Sequence, residues 1–249
     1  MPSVREVPEA LSGQPSVVLL PPVGLDARTW DRVDLPGGAR RHQFPGFGRA
    51  AAASAPTMAD LADEVVSEHP GRLHLVGVSM GGMVALNAAL RHPDRVASVL
   101  VACTGASASP AVMEARAAAA ETGGMAAVLA DTLDRWFTPA ALAAAPAHPG
   151  VVYARDQLMS LAPASFAAGW RAIATHDTAD RLGHLAVPVT AVAGGLDRAS
   201  PVSRSEEIAT RAPQGRLVVV DDAPHMIQLE QPGAFGRVVA AHLARSAGG

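Results

Sequence analysis

The chain has 249 residues, of which 49% are hydrophobic, so it can bury the core of one large domain or of two small ones. Its formal net charge is −3 and its 20 lysine and arginine residues form no basic run, which argues against nucleic-acid binding. A single cysteine, Cys103, excludes an internal disulfide framework, and no apolar run is long enough to cross a membrane, so we expect a cytoplasmic protein without membrane contact.

Short apolar runs alternate with helical stretches along most of the chain. In chain order, the pattern predicts strands at 16–20 and 39–44, a helix at 58–68, a strand at 73–78, a helix at 80–91, strands at 96–103 and 187–193, a helix at 202–211, a strand at 216–220 and a helix at 234–245. Several strands are apolar without alternation, as expected when helices cover both faces of a sheet. The pattern predicts an α/β fold with a mostly parallel, doubly wound sheet.

The alternation fails between Ser109 and His184, where the sequence is rich in alanine and interrupted by prolines. We predict several short helices there and no strand. Helices inserted between two strands of such a sheet lie over its carboxyl edge, where ligands bind. We therefore divide the chain into a core formed by residues 1–108 and 185–249 and a helical lid of residues 109–184. An insert that only packs against the sheet is the alternative.

Ser79 stands in a G-x-S-x-G pattern with Gly77 and Gly81, where a predicted strand passes into a predicted helix. A nucleophile at such a turn has a strained backbone, and the residues two before and two after it approach so closely that glycine is favoured. The following helix directs its free amides and positive dipole end toward the hydroxyl. We predict Ser79 to be a nucleophile, with the amide of Met80 as an oxyanion donor. A turn-forming serine is the alternative.

A serine hydroxyl needs a base. Among nine histidines, His225 follows a predicted strand and precedes the last predicted helix, which places it at the same sheet edge as Ser79. Asp197 follows another strand at that edge and is the candidate to orient the imidazole. Four other aspartates are weaker candidates, because they share the loop of His225 or belong to the hinge of the insert: Asp221, Asp222, Asp177 and Asp180.

A second oxyanion donor should come from the turn after the first strand, Pro21-Pro22-Val23-Gly24-Leu25. Neither proline has an amide hydrogen, so Val23 is the predicted donor. No metal or cofactor is predicted, because the sequence has no H-E-x-x-H, no paired cysteines and no glycine-rich phosphate loop.

Four segments together resemble the α/β-hydrolase superfamily over nearly the whole chain. "VGVSMGGMVALNAALRHPDRVASVLVA" resembles the nucleophile turn with its helix and next strand, "FPGFGRA" the loop after the fourth strand, "VPVTAVAGGLDRASP" the acid segment and "APHMIQLEQPGAF" the histidine loop. The resemblance implies an α/β-hydrolase fold with a helical lid after the sixth family strand. It also implies a catalytic triad and an oxyanion hole at these positions: Ser79, His225, Asp197, Val23 and Met80. Within the superfamily the chain is similar to 3-oxoadipate enol-lactonases and small lid-bearing carboxylesterases.

Three features depart from the family pattern. Pro21-Pro22 stands where the family usually has His-Gly, which bears on the geometry of the oxyanion loop. The segment before the first strand is short for the usual N-terminal pair of strands, so we expect one strand fewer. The compact stretch 30–44 predicts a very short first helix. A serine at the nucleophile position, rather than an aspartate, argues against dehalogenase and ordinary epoxide hydrolase chemistry.

These residues lead to the hypothesis that the chain hydrolyses a small-molecule carboxylic ester or lactone through an acyl-enzyme. Carbon–carbon bond hydrolysis, acyl transfer, cyclisation and a non-catalytic ligand-binding role are the alternatives. Four lid residues are predicted to bind substrate, with core packing as the alternative: Trp136, Trp170, Tyr153 and Met159. Arg135, Arg155 and Arg171 are candidates to meet a substrate carboxylate, with surface solvation as the alternative. The sequence does not indicate the oligomeric state.

Overall fold

A computed structural model describes residues 13–35, 37–47 and 55–246, and six strands in these ranges form one sheet. The strands are β1 (Ser16–Leu20), β2 (Arg40–Arg41), β3 (Leu73–Val78), β4 (Val96–Ala102), β5 (Val189–Gly194) and β6 (Gly215–Val220). Their order across the sheet is β2-β1-β3-β4-β5-β6, and every pairing is parallel. The carboxyl ends of all six strands therefore lie at one edge.

Helices fill the connections between these strands. They are α1 (Met58–Glu68), α2 (Met80–Arg91), α3 (Pro110–Trp136), α4 (Pro139–Leu142), α5 (Pro149–Ser160), α6 (Pro163–Ala174), α7 (Val202–Arg211), α8 (Ile227–Glu230) and α9 (Pro232–Ser246). Two 3-10 helices occur at Ala27–Trp30 and Ala179–His184. The prediction of an α/β fold with a parallel sheet is confirmed.

The central strands are apolar without alternation because both faces of the sheet are covered. Leu75 of β3 belongs to a core shared with α1 and α2, whereas its neighbour Val76 belongs to a second core shared with Phe235 and Val239 of α9. Successive side chains of a strand point to opposite faces. Each position is buried on one side or the other, so the helix on each face fixes the strand register.

Four strands have boundaries that differ from the predicted ones, and β6 differs only by starting one residue earlier, at Gly215. β2 is limited to Arg40–Arg41, an exposed pair at the edge of the sheet with β1 as its neighbour. β4 ends before Cys103, because the φ of 52° at Cys103 lies outside the strand region. β5 begins after Pro188, which has no amide hydrogen to donate to the ladder.

The segment between β4 and β5 is helical, as predicted. It contains α3 to α6 and the second 3-10 helix, and in the described residues its one β interaction is an isolated bridge between Ser107 and Asp177. α3 packs mainly against α6. Gly124 interrupts α3 with φ 72° and ψ 175°, so α3 consists of two arms. We call residues 110–123 the first arm and residues 125–136 the second arm.

The N-terminal region agrees with the expected short first helix, since the four-residue 3-10 helix Ala27–Trp30 is the helix between β1 and β2 in the described residues. Within those ranges no strand precedes β1. Residues 1–12 and the end of the "FPGFGRA" segment, at 48–50, lie outside them. A search of the described helices finds none that is both long enough and apolar enough to span a membrane.

Candidate active site

Ser79 occupies the turn between β3 and α2 and has φ 53° and ψ −115°, a conformation that non-glycine residues rarely adopt. Close packing holds it there. A Cβ at Gly77 would collide with the backbone of Gly81, and a Cβ at Gly81 would collide with the carbonyl of Leu20. The Ser79 amide donates to Ala102 O at 2.8 Å, and Thr104 Oγ1 donates to Ser79 O at 3.0 Å. The predicted strained turn is present.

His225 lies between Ser79 and Asp197. Its Nε2 is 3.0 Å from Ser79 Oγ, and its Nδ1 is 2.9 Å from Asp197 Oδ2. With an ionised aspartate, Nδ1–H donates to the carboxylate, which leaves Nε2 to accept from the serine hydroxyl. The three side chains are buried, with 8%, 5% and 9% exposure for Ser79, His225 and Asp197. The arrangement can remove a proton from Ser79.

Asp197 is anchored at the end of β5. Its Oδ1 accepts from the amides of Ala199 at 2.7 Å and Ser200 at 2.8 Å. Burial alone would raise the pKa of Asp197, but the His225 imidazole and these two amides outweigh burial and hold the pKa below its usual value. The carboxylate therefore remains ionised beside the imidazole.

The loops after β5 and β6 come close enough for this contact because glycine lines the approach. A Cβ at Gly194 would collide with Ala223 O, and one at Gly195 would collide with Asp221 O. The four aspartates that were weaker candidates do not contact His225 among the described hydrogen bonds. Asp177, for example, forms the bridge to Ser107, and Asp180 pairs with Arg211.

Cys103 lies beneath this site at the end of β4. It is fully buried, as expected of a small hydrophobe, but its Sγ is also within 4.8 Å of ligand atoms of Asp197 and His225. Burial, followed by the Asp197 charge, raises the pKa of the thiol well above its usual value. The thiol is therefore neutral. The sequence signal for this contact was the position of Cys103 directly after a central strand.

The two predicted oxyanion donors come from the start of α2 and from the turn after β1. Met80 is the first residue of α2, so its amide has no acceptor within the helix. Val23 is buried in a turn closed by the Leu25 amide, which donates to Pro22 O at 3.3 Å. Among the described hydrogen bonds, none is donated by the amide of Val23 or of Met80. Both are available to a ligand oxygen.

A cavity of about 50 Å³ opens at Ser79 and His225. Trp136 and Trp170, two of the four predicted substrate-binding residues, line it. The same two helices also contribute Met113 and Ile173, while Met83 comes from α2 and Arg204 from α7. α3 and α6 therefore form the roof over the serine.

The other two predicted substrate-binding residues, Tyr153 and Met159, do not line this cavity. The Tyr153 hydroxyl donates to Asp26 Oδ1 at 2.8 Å, and the ring stacks beside Arg28. Burial, followed by the Asp26 charge, raises the pKa of Tyr153. Met159 is 48% exposed. A helical aromatic or methionine in the insert can face either the core or solvent, and the sequence did not distinguish these faces.

The three lid arginines that were candidates to meet a substrate carboxylate lie in different places. Arg135 lines the cavity at Ser79. Arg155 is exposed and pairs with Asp156, and Arg171 bonds to Glu114 and Glu121 on the surface. Two further cavity arginines, Arg116 and Arg204, were missed. Their signal is a position on a helix that follows a strand at this sheet edge.

Two groups of side chains in the described ranges offer metal-ligand atoms within 4.8 Å of one another. One group, Cys103 with Asp197 and His225, shares its atoms with the hydrogen-bonded chain at Ser79. In the other, His42 Nδ1 is 3.3 Å from His69 Nε2 and 3.4 Å from Glu68 Oε2. At these distances the side chains contact one another directly.

Comparisons with known proteins show the family of this chain. The profile of the Alpha/beta hydrolase family matches residues 17–238. A pimeloyl-[acyl-carrier protein] methyl ester esterase of Aromatoleum aromaticum is 31% identical over 238 residues, which cover 88% of this chain and 94% of that protein. The enol-lactonase of Burkholderia xenovorans superimposes with a TM-score of 0.84 at 27% identity, covering 94% of this chain and 92% of that one. A thermophilic esterase of Thermogutta terrifontis gives a TM-score of 0.84 at 26% identity, with 95% and 92% coverage.

Proposed function

The chain belongs to the alpha/beta hydrolase family and is an enzyme of its esterase and lactonase type, and from this premise we propose that it cleaves a small carboxylic ester or lactone with Ser79 as nucleophile. His225 serves as general base and Asp197 orients the imidazole. The similar proteins named above are called esterases and an enol-lactonase, and these names denote enzymes that cleave an ester or lactone bond.

The continuous chain of hydrogen bonds from Ser79 through His225 to Asp197 carries this proposal. As Ser79 Oγ attacks the carbonyl carbon, its proton moves to His225 Nε2, and the carbonyl oxygen gains negative charge. Asp197 stabilises the imidazolium through Nδ1–H. The imidazolium then protonates the leaving alcohol, and water repeats the sequence on the acyl-enzyme with the same base.

The amides of Val23 and Met80 hold the oxyanion in this proposal. Backbone donors fixed before the reaction stabilise charge at no reorganisation cost, and each typically contributes about 3 kcal/mol. The dipole of α2 adds to the effect, because its N-terminus begins at Met80. The Pro21-Pro22 pair stiffens the turn before Val23, since each proline ring fixes its own φ.

The helical segment 109–184 acts as a lid in this proposal, and Trp136 and Trp170 form its substrate-facing surface. Both are nearly fully buried and line the cavity at Ser79. A cavity of about 50 Å³ holds little more than the reacting group, compared with the 300–1,000 Å³ of typical ligand sites. We therefore expect the helices above Ser79 to move apart as substrate enters.

Covalent labelling with a fluorophosphonate tests the nucleophile. We expect the wild-type protein to be labelled at Ser79 and Ser79→Ala to resist labelling. Hydrolysis of p-nitrophenyl esters of increasing length, and of a few simple lactones, should fall by at least about 10³-fold in the same variant, because the residual rate comes from binding and the oxyanion donors alone.

Ser205→Ala is the matched control, since Ser205 is also buried but donates to Val192 O, away from His225. It should label and hydrolyse like the wild type. A wild-type protein that neither labels nor hydrolyses any ester or lactone would rule out the proposed function and favour a non-catalytic ligand-binding role.

A further inference from the structure

The cavity at Ser79 is strongly basic. Three guanidinium groups line it, from Arg116, Arg135 and Arg204, and none of the cavity's lining residues among those described is an aspartate or glutamate. Among the described ion pairs, none involves these three arginines. Arg204 is held by the backbone, because it donates to Ser107 O. Among the described hydrogen bonds and ion pairs, neither Arg116 nor Arg135 has a carboxylate or carbonyl partner, although the charges of Asp131 and Asp134 act on Arg135.

Arg116 and Arg135 come from different arms of α3, and the charge of Arg135 acts on Arg116. Burial, followed by the charge of Arg135, lowers the pKa of Arg116, and burial likewise lowers the pKa of Arg135. Arg135 Nη2 donates to Thr132 Oγ1 at 3.2 Å, and Asp134 beside it pairs with Arg198. Both guanidinium groups remain charged near neutral pH, because an arginine side chain is not deprotonated in proteins. Two half-buried like charges are stabilised by an anion between them.

Trp170 adds an unsatisfied donor. The Arg116 guanidinium stacks over its ring at 4.7 Å from the centroid, and the buried indole Nε1–H has no acceptor among the described residues. A buried donor without an acceptor destabilises the fold, because it has lost its hydrogen bond to water. An oxygen atom of a ligand would satisfy it.

A second, larger chamber is also lined by Arg116, Arg135 and Trp170. This outer chamber has a volume of about 520 Å³, lies between the two arms of α3 and α6, and contains Asp131 as its one lining carboxylate among the described residues. Arg116, Arg135 and Trp170 therefore stand between the outer chamber and the cavity at Ser79. A substrate that occupied both spaces would lie beside these donors.

We propose that the substrate is an ester or lactone with a second, anionic group, a carboxylate or a phosphate, that binds between Arg116 and Arg135 while the ester carbonyl lies at Ser79. This inference rests on the proposed hydrolase function. The guanidinium fork matches the two oxygens of either anion. The outer chamber holds the part of the molecule beyond the anionic group.

Paired substrates test the proposal. Monomethyl esters of C4 to C8 dicarboxylic acids are compared with their dimethyl esters. Acetate esters of ω-hydroxy acids, which keep a free carboxylate, are compared with the same acetate esters whose carboxylate is methylated. We expect the best charged ester to exceed its neutral partner in kcat/KM by about 10- to 100-fold. Pentanoate and butyl phosphate, as competitors of p-nitrophenyl acetate hydrolysis, distinguish the carboxylate from the phosphate.

In the double variant Arg116→Gln/Arg135→Gln, the charged-to-neutral ratio of kcat/KM should fall close to 1. The competing anions should then inhibit no more strongly than an uncharged compound. Arg116→Lys/Arg135→Lys should keep part of the preference, because it keeps the charge but not the fork. Arg155→Gln, on the exposed face of the insert, is the matched control and should keep all of it. Fluorophosphonate labelling reports that Ser79 remains functional in each variant.

The outcomes separate this inference from the proposed function. An enzyme that labels at Ser79 and hydrolyses neutral esters, but shows no preference for any charged ester and no competition by either anion, would overturn the anionic substrate and leave the hydrolase intact. A preference that survives Arg116→Gln/Arg135→Gln would also overturn it. Absence of both labelling and hydrolysis would remove the proposed function and this inference together.

Discussion

Ser79 shows how a single residue combines strain and reactivity. Its positive φ is unfavourable for a serine, and the surrounding backbone has to compensate for it. The compensation comes from the bond to Ala102, the bond from Thr104 and the close approach of Gly81 to β1. Because β1, β3 and β4 all contribute, the position of the hydroxyl is fixed by the sheet rather than by the turn alone.

Asp197 offers a sharp test at the residue scale. In Asp197→Asn, the amide oxygen would keep the bonds from Ala199 and Ser200, so the NH₂ group would face His225. Nδ1 would then have to accept, which places the ring proton on Nε2 and removes the acceptor for Ser79. We expect kcat/KM for a p-nitrophenyl ester to fall by about 10³- to 10⁴-fold with little change in fold.

Asp222→Asn is the control for that variant, because Asp222 is exposed and lies three residues from His225 without contacting it among the described hydrogen bonds. It should retain wild-type kcat/KM. A loss below 10-fold in Asp197→Asn would mean that Asp197 does not set the tautomer of His225.

At the element scale, the sequence predicted best where local signals and burial agree. α1, α2 and α7 have the predicted bounds, and α1 begins with a capping box between Thr57 and Asp60. The strands β1 and β3 are also as predicted, since both are short apolar runs bounded by breaks. The positions of Ser79, Asp197 and His225 followed from the strand ends, because parallel strands bring their carboxyl ends to one edge.

The insert was predicted as helical, but its cavity-facing residues were only partly predicted. Its alanine-rich helices have no distinct apolar stripe, so sequence periodicity does not tell which face meets Ser79. Arg116 shows the difficulty, because it lies within "EARAAAAETGG" and reads as a solvated residue, yet lines the cavity. Which side of a helix faces the sheet depends on packing between α3 and α6, and that packing is long-range.

Gly124 is the element-scale position to test. Its φ of 72° and ψ of 175° suit glycine and strain other residues, although no atom lies within 4 Å of an added Cβ. Gly124→Ala should lower the free energy of unfolding in urea by about 1–3 kcal/mol through backbone strain alone. It should also change kcat/KM for esters, because the two arms of α3 position Arg116 and Arg135.

Gly183→Ala is the matched control. Gly183 also has open space around an added Cβ, but it has no positive φ, so alanine is compatible with its backbone. We expect unchanged or slightly increased stability there. Equal stability changes in the two variants would show that the break in α3 is not strained.

At the scale of the whole molecule, buried histidines tie the sheet to its helices. His242 of α9 bonds through Nε2 to Ser98 of β4 and through Nδ1 to Thr190 of β5, each at 2.8 Å, and Ser98 also bonds to His74 of β3. His176, after α6, bonds to Asn87 of α2 and to Gly105 O, each at 3.0 Å. One histidine connects the sheet to α9, and the other connects the insert to α2.

Both histidines are neutral in the fold. Burial, followed by the charges of Arg245 and His74, lowers the pKa of His242 from 6.5 to about 4, and burial chiefly lowers that of His176 to about 4. The unfolded chain therefore binds more protons than the folded one below pH 6.5. By linkage, the stability that these groups contribute is fully present above pH 6.5 and is lost as the pH falls toward 4.

We expect the free energy of unfolding to decrease by several kcal/mol between pH 6.5 and 4, since each of these histidines contributes about 3 kcal/mol to the change at 1.36 kcal/mol per pKa unit. Urea titrations across this range measure it. His242→Gln removes one titrating group, so it should lower stability at pH 7 and make the pH dependence shallower. His184→Gln, at an exposed position, should leave the slope unchanged. An unaltered slope in His242→Gln would place the acid sensitivity in other groups and leave the His242 network a purely structural link between α9 and the sheet.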